Sequence, residues 1–414
     1  MTKRFLGALA MAGIMSMYAV AGRALAGDWP RFRGGDGCGI TDEKNLPTQW
    51  DGKTGKNVFW KEELPKGDAA ISSPIVVGDK VIVTYAVGGG NPEQHVICFV
   101  KADGSKLWDT VVDLGPLKNV DGRGGFAGPT PCSDGKHVFA VFASGVIAAL
   151  DMDGKLAWRH DLPNSKFDVV MGNSPVLFGD TVILINDQHD KKSQLLAWYK
   201  ADGHVKLDVP RPGCDFAHST PILVKVGGQE ELIAAASSQL QGIDPGSGNV
   251  LWFAKVHGET ASPVCDGGLV YTDTGRGDAG VAVAPGGEGD VTGQAVKATF
   301  KNHSDLGSGV VLGEYVYRQA GDNLQCSKLA TGETVYTKPV KGASNWASPI
   351  ASRAGFIYVG NSGTCHVFKA GPEGEEISAN NLGDGSAASA AVSDGKIFFR
   401  GTKYLWCIGD NGKN

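Results

Sequence analysis

The chain has 414 residues, 39 Lys and Arg against 44 Asp and Glu, and a formal net charge of −5. That mildly acidic balance excludes the basic stripe of a nucleic-acid-binding protein. Past the N-terminus no apolar run approaches the roughly 18 residues of a membrane span, so no transmembrane segment is expected.

Residues 1–26 read as an export signal. Lys3 and Arg4 form a positive start, Phe5 to Val20 an apolar stretch, and Ala24-Leu25-Ala26 a cleavage site. The mature chain is expected to start at Gly27, in the periplasm or outside the cell. The first cysteine is Cys38, far from the cleavage site, so no lipid anchor is expected. Residues 27–56 read as an N-terminal extension, and the remainder, 57–410, as one repeat domain. Asn57-Val58-Phe59-Trp60-Lys61-Glu62 looks like a β-strand with no sequence neighbour to pair with.

From there a phrase recurs about every 45 residues, a period that means a solenoid or a propeller. It is Ser or Thr, then Pro, then an apolar run broken by Gly and Asp. The copies are Ser73-Pro74, Thr130-Pro131, Ser174-Pro175, Thr220-Pro221, Ser262-Pro263 and Ser348-Pro349, with degenerate copies at Ser308-Gly309 and Ser389-Ala390. Each unit holds four short β-branched and aromatic runs between turn residues. After Thr130, for example, runs at His137–Phe142, Val146–Leu150 and Lys155–His160 follow the one opened by Pro131. A glycine in the last turn precedes a large residue by four positions: Gly104 and Trp108, Gly154 and Trp158, Gly248 and Trp252. These tryptophans are expected to pack on the neighbouring unit. The fold expected is all-β: an eight-bladed β-propeller of four-stranded antiparallel blades. The last unit supplies only three strands, and the N-terminal strand closes it as the fourth.

Metal and nucleophile signatures are weak. The nine histidines are scattered, and no C-x-x-C motif exists. Asp151-Met152-Asp153-Gly154 lacks the further ligands of a calcium loop. Gly286-Gly287-Glu288-Gly289 lacks the Lys-[ST] of a phosphate cradle and reads as a loop rerouting the fifth blade. Most of the eight cysteines read as buried thiols, with one bridge at most.

The unit [ST]-P-apolar-x-G-D…L-D-x-x-x-G-x-x-x-W resembles the PQQ-like, quinoprotein-type repeat, also found in BamB-like propellers. Asp28-Trp29-Pro30-Arg31-Phe32-Arg33-Gly34, the Ala284–Thr292 stretch and Tyr404-Leu405-Trp406-Cys407-Ile408-Gly409 are similar to segments of exported PQQ-binding-like propellers of planctomycete-type bacteria. The resemblance implies the fold and leaves function open between dehydrogenases and scaffolds of outer-membrane protein assembly. The dehydrogenases hold PQQ in the channel mouth with an adjacent Cys-Cys disulfide, a calcium ion and a catalytic Asp. No Cys-Cys pair exists here, and no calcium ligand set can be matched.

In such a ring the residues just before each Ser-Pro phrase line one mouth of the channel. The ligand-binding candidates are Arg123, Asn173, His218, Glu259 and Trp346, with Phe126, Met171, Phe216, Thr260 and Asn345 beside them. Glu259 is the carboxylate that could partner His218. No residue is assigned as catalytic or as a metal ligand. The function expected is that of a binding or scaffold module in the cell envelope, monomeric, meeting a protein or a small molecule. The alternatives are a PQQ-dependent oxidoreductase of alcohols or sugars and a carbohydrate-binding propeller. No cofactor is assigned, and PQQ is the one left open.

Overall fold

The computed structural model of the chain describes residues 27–67, 71–88, 92–117, 120, 122–163, 171–273, 279–301, 306–343, 346–360 and 363–412. The expected export signal and Asn345 lie outside these residues. Eight sheets form an all-β propeller. The first blade comprises Ile75–Val77, Lys80–Val87, Glu93–Val100 and Lys106–Val112, paired antiparallel in chain order. The pattern repeats until the eighth blade, where Ala391–Ser393, Lys396–Arg400 and Tyr404–Ile408 take Val58–Glu63 as fourth strand. That N-terminal strand runs antiparallel to Tyr404–Ile408, with Trp60 opposite Cys407, so the ring has no raw edge at its seam.

The repeated Gly-x-x-x-Trp phrase has a structural reason. In every blade the pairing of the third and fourth strands carries a bulge. It falls at the residue just before the tryptophan register, as at Leu107 and Phe59. A bulge re-aims the next side chain. Trp60, Trp108 and Trp158 each donate their indole N–H to a carbonyl of the following blade, Lys101, Met152 and Lys200, at 3.0 Å. Their rings lie over Gly104, Gly154 and Gly203, where a Cβ would come within 2.6–2.8 Å of ring carbons. These glycines also have φ of 80°, 83° and 74°, so glycine is required twice over.

Trp252 departs from the expected pattern. Its indole N–H donates to Glu231 within its own blade at 2.7 Å. An added strand accompanies the change: Gly289–Asp290 pairs parallel with the outer strand of the fourth blade, Trp252 facing Gly289. The Gly-rich stretch is thus the detour of the fifth blade, which returns through a one-turn helix, Thr292–Ala295, to its own fourth strand, Val296–Thr299.

The core lies between blades. Ile75, Ile82, Val96 and Cys98 of the first blade pack with Val138, Ala140, Phe142 and Val146 of the second. All eight cysteines are buried and unbridged. Those at one register, Cys98, Cys326 and Cys407, sit in third strands of different blades.

Candidate functional site

Each blade begins its inner strand with the hydroxyl residue of the repeat. The N–H of Ser73 donates to Thr130 Oγ1 at 2.9 Å, that of Thr130 to Ser174 Oγ at 3.0 Å, and that of Ser174 to Thr220 Oγ1 at 3.0 Å. The same bond runs from Thr220 to Ser262, from Ser262 to Ser308, from Ser308 to Ser348 and from Ser348 to Ser389, each at 2.9 Å. Ser389 returns it to Ser73 at 3.0 Å. Eight bonds therefore close a belt around the channel, all donated in one rotational sense. The degenerate copies belong to it fully: Ser308 and Ser389 keep the hydroxyl and dispense with the proline.

The eight hydroxyl residues line a cavity of about 190 Å³. A second tier stands two residues earlier in every blade: Ile71, Gly128, Gly172, His218, Thr260, Leu306, Trp346 and Ala387. Side chains alternate along an extended chain, so positions two apart share a face. Gly172 makes room for its neighbour, since a Cβ there would meet His218 Cβ at 2.8 Å. The His218 ring sits edge-on to Phe216, with centroids 4.6 Å apart, and Phe216 stacks on His189 at 4.7 Å. Arg123 completes the wall from the preceding loop.

The floor comes from the N-terminal extension. Trp29 exchanges backbone bonds with Val76 in the first blade, and Pro30 accepts from Ser133 in the second. Arg31 donates to the Pro221 carbonyl of the fourth at 3.1 Å, and Arg33 to the Gly309 carbonyl of the sixth at 2.7 Å. Cys38 meets Cys265 of the fifth, and Ile40–Thr41 pairs parallel with Ile350–Ser352 of the seventh. This strap touches inner strands on opposite sides of the ring, and Phe32 lines the cavity between its two arginines. The cavity is a cup walled by the two tiers, with Phe32 of the strap against it. Burial lowers the pKa of Arg31 and brings Arg33 down to about 10, and it raises that of Asp36 beside them.

Of the candidate residues, Arg123, His218 and Trp346 come together on the cup. Asn173 does not line it. It is fully buried one residue from Ser174, and its Nδ2 donates to the Ser219 carbonyl at 2.9 Å. Glu259 stands an odd number of residues from Ser262 and is also off the lining. Its backbone carbonyl accepts the His218 N–H at 2.7 Å, which ties the two loops together. Sequence reasoning missed the strap and the hydroxyl belt. The eightfold Ser or Thr was the available signal for the belt.

Among the described residues, no group of three or more His, Cys, Asp and Glu side chains is placed to hold a metal ion. No helix among them is long and apolar enough to cross a membrane. The family described as "Outer membrane protein assembly factor BamB" matches residues 92–338. No curated protein sequence matches the chain. Among solved structures, BamB from Moraxella catarrhalis is similar at a TM-score of 0.58 and 14% identity, over 86% of this chain and 98% of that one. A europium-containing methanol dehydrogenase aligns at 0.54 and 11%, over 92% and 89%. The quinohemoprotein alcohol dehydrogenase from Comamonas testosteroni aligns at 0.52 and 11%, over 95% and 82%. These likenesses show a shared propeller, which serves a scaffold protein and dehydrogenases alike.

Proposed function

This chain belongs to the family described as outer membrane protein assembly factor BamB, and from that premise we propose that it acts by binding, as an exported module of the cell envelope that takes a small ligand into the cup. The observation that carries this reading is the two-tiered cup above the strap. Each belt hydroxyl gives one lone pair to a neighbouring N–H and keeps its O–H to donate. Arg123, His218 and Thr260 add polar groups, while Phe32, Ile71, Leu306 and Trp346 add apolar surface. A few polar groups in an apolar frame are what small-molecule sites offer. An exported location fits both the signal expected at residues 1–26 and the family's description.

A quinone held with calcium fits these residues less well. Calcium takes about six to eight oxygen ligands, carboxylates among them, and no Asp or Glu is among the residues lining the cup. The alternatives of a quinoprotein oxidoreductase and of a carbohydrate-binding propeller become outcomes of one test. Thermal shift and calorimetry on the full chain would compare PQQ with and without calcium, small carboxylates, and mono- and disaccharides. One class is expected to raise Tm saturably, and Arg123→Ala or Trp346→Ala to abolish the rise. PQQ-dependent turnover in a dye-linked assay would overturn the binding reading. So would a ligand shift that survives substitution of Arg123, His218 and Trp346 alike.

A further inference from the structure

Two of the eight buried thiols meet. Cys38 lies in the strap, and Cys265 ends the inner strand of the fifth blade, Val264–Cys265. The N–H of Cys265 donates to Cys38 Sγ at 3.3 Å, a contact between residues 227 positions apart. The Cys265 nitrogen sits about 1.5 Å from its own Cα. The Cys38 sulfur therefore lies within about 4.8 Å of the Cys265 Cα. A bridge asks for Cα atoms roughly 4.4–6.8 Å apart, and a sulfur this close to its partner's backbone brings the two residues into that neighbourhood. The other cysteines are distributed differently: Cys98, Cys326, Cys365 and Cys407 occupy third strands of four separate blades.

Both residues also open on a common groove. A surface cavity of about 580 Å³ between the first hairpins of the fourth and fifth blades is lined by Asp36, Cys38, Val226, Cys265 and Leu269 among others. Small oxidants have a route to the pair.

We propose that Cys38 and Cys265 are a covalent modification site: a disulfide that staples the strap to the fifth blade beneath the cup. The two thiols lose two protons and two electrons as the S–S bond forms, and a disulfide-bearing oxidant takes both electrons and leaves as two thiols. With oxidised glutathione the products are the protein bridge and two reduced glutathiones. Burial holds Cys38 protonated to about 12 and raises Cys265. The thiolate is the attacking species, so closure is slow in the folded protein and fast while the chain is still folding. The bridge restrains the strap, through which Arg31, Phe32 and Arg33 shape the cup floor.

The test is made on the full chain exported into an oxidising periplasm, then alkylated without reductant and mapped by mass spectrometry. A peptide pair joining Cys38 to Cys265 is expected, with the other six thiols alkylated. Reductant should lower Tm by several degrees in this protein, because a bridge across so long a loop restricts the unfolded chain. Cys265→Ser should abolish both the peptide pair and the reductant effect while leaving Cys38 alkylated. Cys38→Ser provides the same check should that variant fail to fold. Alkylation of both Cys38 and Cys265 after export and after refolding with oxidised glutathione would overturn the proposal, as would a bridge joining either to another cysteine.

Discussion

The N–H of Ser389 reaches back across 316 residues of chain to donate to the hydroxyl of Ser73 at 3.0 Å. It is the bond that turns seven like bonds into a closed belt. The seam of the ring is therefore fastened twice, by this bond at the channel and by the pairing of Val58–Glu63 with Tyr404–Ile408 further out.

Ser73→Ala leaves the Ser389 N–H buried without an acceptor. A buried donor left unpaired costs about 1–3 kcal/mol. Denaturant unfolding should show a lower midpoint for Ser73→Ala, and Ser73→Thr, which keeps the oxygen, should recover most of it. Equal midpoints for wild type and Ser73→Ala would mean that the belt adds nothing to stability.

Trp60 and Gly104 should behave as one unit. Removing a buried indole costs about 3–5 kcal/mol. Gly104→Ala is destabilising for two reasons, the φ of 80° and a Cβ 2.8 Å from the Trp60 ring. In a Trp60→Ala background the ring clash disappears, leaving only the flexible Glu62 side chain at 2.8 Å to move aside, so a double-mutant cycle should give a coupling on the order of 1 kcal/mol or more. Strict additivity would show that the indole does not rest on this glycine.

Acid sensitivity should pass through Asp266. Its carboxylate accepts the Gly313 N–H at 2.9 Å and Arg353 at 2.6 and 3.2 Å, joining three successive blades. Burial alone would raise its pKa, but the hydrogen bonds from Arg353 and Gly313 outweigh it and hold the group below its ordinary value. The folded state thus releases this proton more readily than the unfolded state does. The stabilisation is complete above the ordinary aspartate pKa and is lost as pH falls through the lower folded value. Arg353 is half exposed, so the loss should be under about 1 kcal/mol. Asp266→Asn should flatten the acid limb of a Tm-against-pH curve, and an unchanged limb would remove Asp266 from the account.

Gly172→Ala should disturb the cup without touching a polar group. The added Cβ enters the space of the His218 side chain and must displace it. The ring contacts of His218 with Phe216 then change, and the imidazole should show altered NMR shifts. Unaltered shifts would show that the backbone at Gly172 yields instead.

The repeat was legible because the [ST]-P phrase marks the same physical position in each blade, the entry to the inner strand. Blade number and the N-terminal closure followed from counting it. Arg123, His218 and Trp346 were placed near the cup by that register, but Asn173 shows the parity that was overlooked. Ser174 faces the channel, so an extended chain turns Asn173 the other way. The same alternation could have picked out the residues two before each hydroxyl. Trp252 keeps the motif without its inter-blade bond, and there a distant segment, Gly289–Asp290, takes the outer edge. The strap was hidden for a different reason. Residues 28–41 have almost no periodicity, and their positions depend on carbonyls of blades far along the chain, such as Pro221 and Gly309.

The seam also sets a timetable. Val58–Glu63 is made early, yet its partner Tyr404–Ile408 is among the last segments to leave the ribosome. At roughly 5–20 residues per second, that strand waits for tens of seconds with its pairing groups unsatisfied and Trp60 uncovered. The burden of keeping Phe59 and Trp60 from premature partners therefore falls on whatever accompanies the chain, until the eighth blade can be assembled from its two ends.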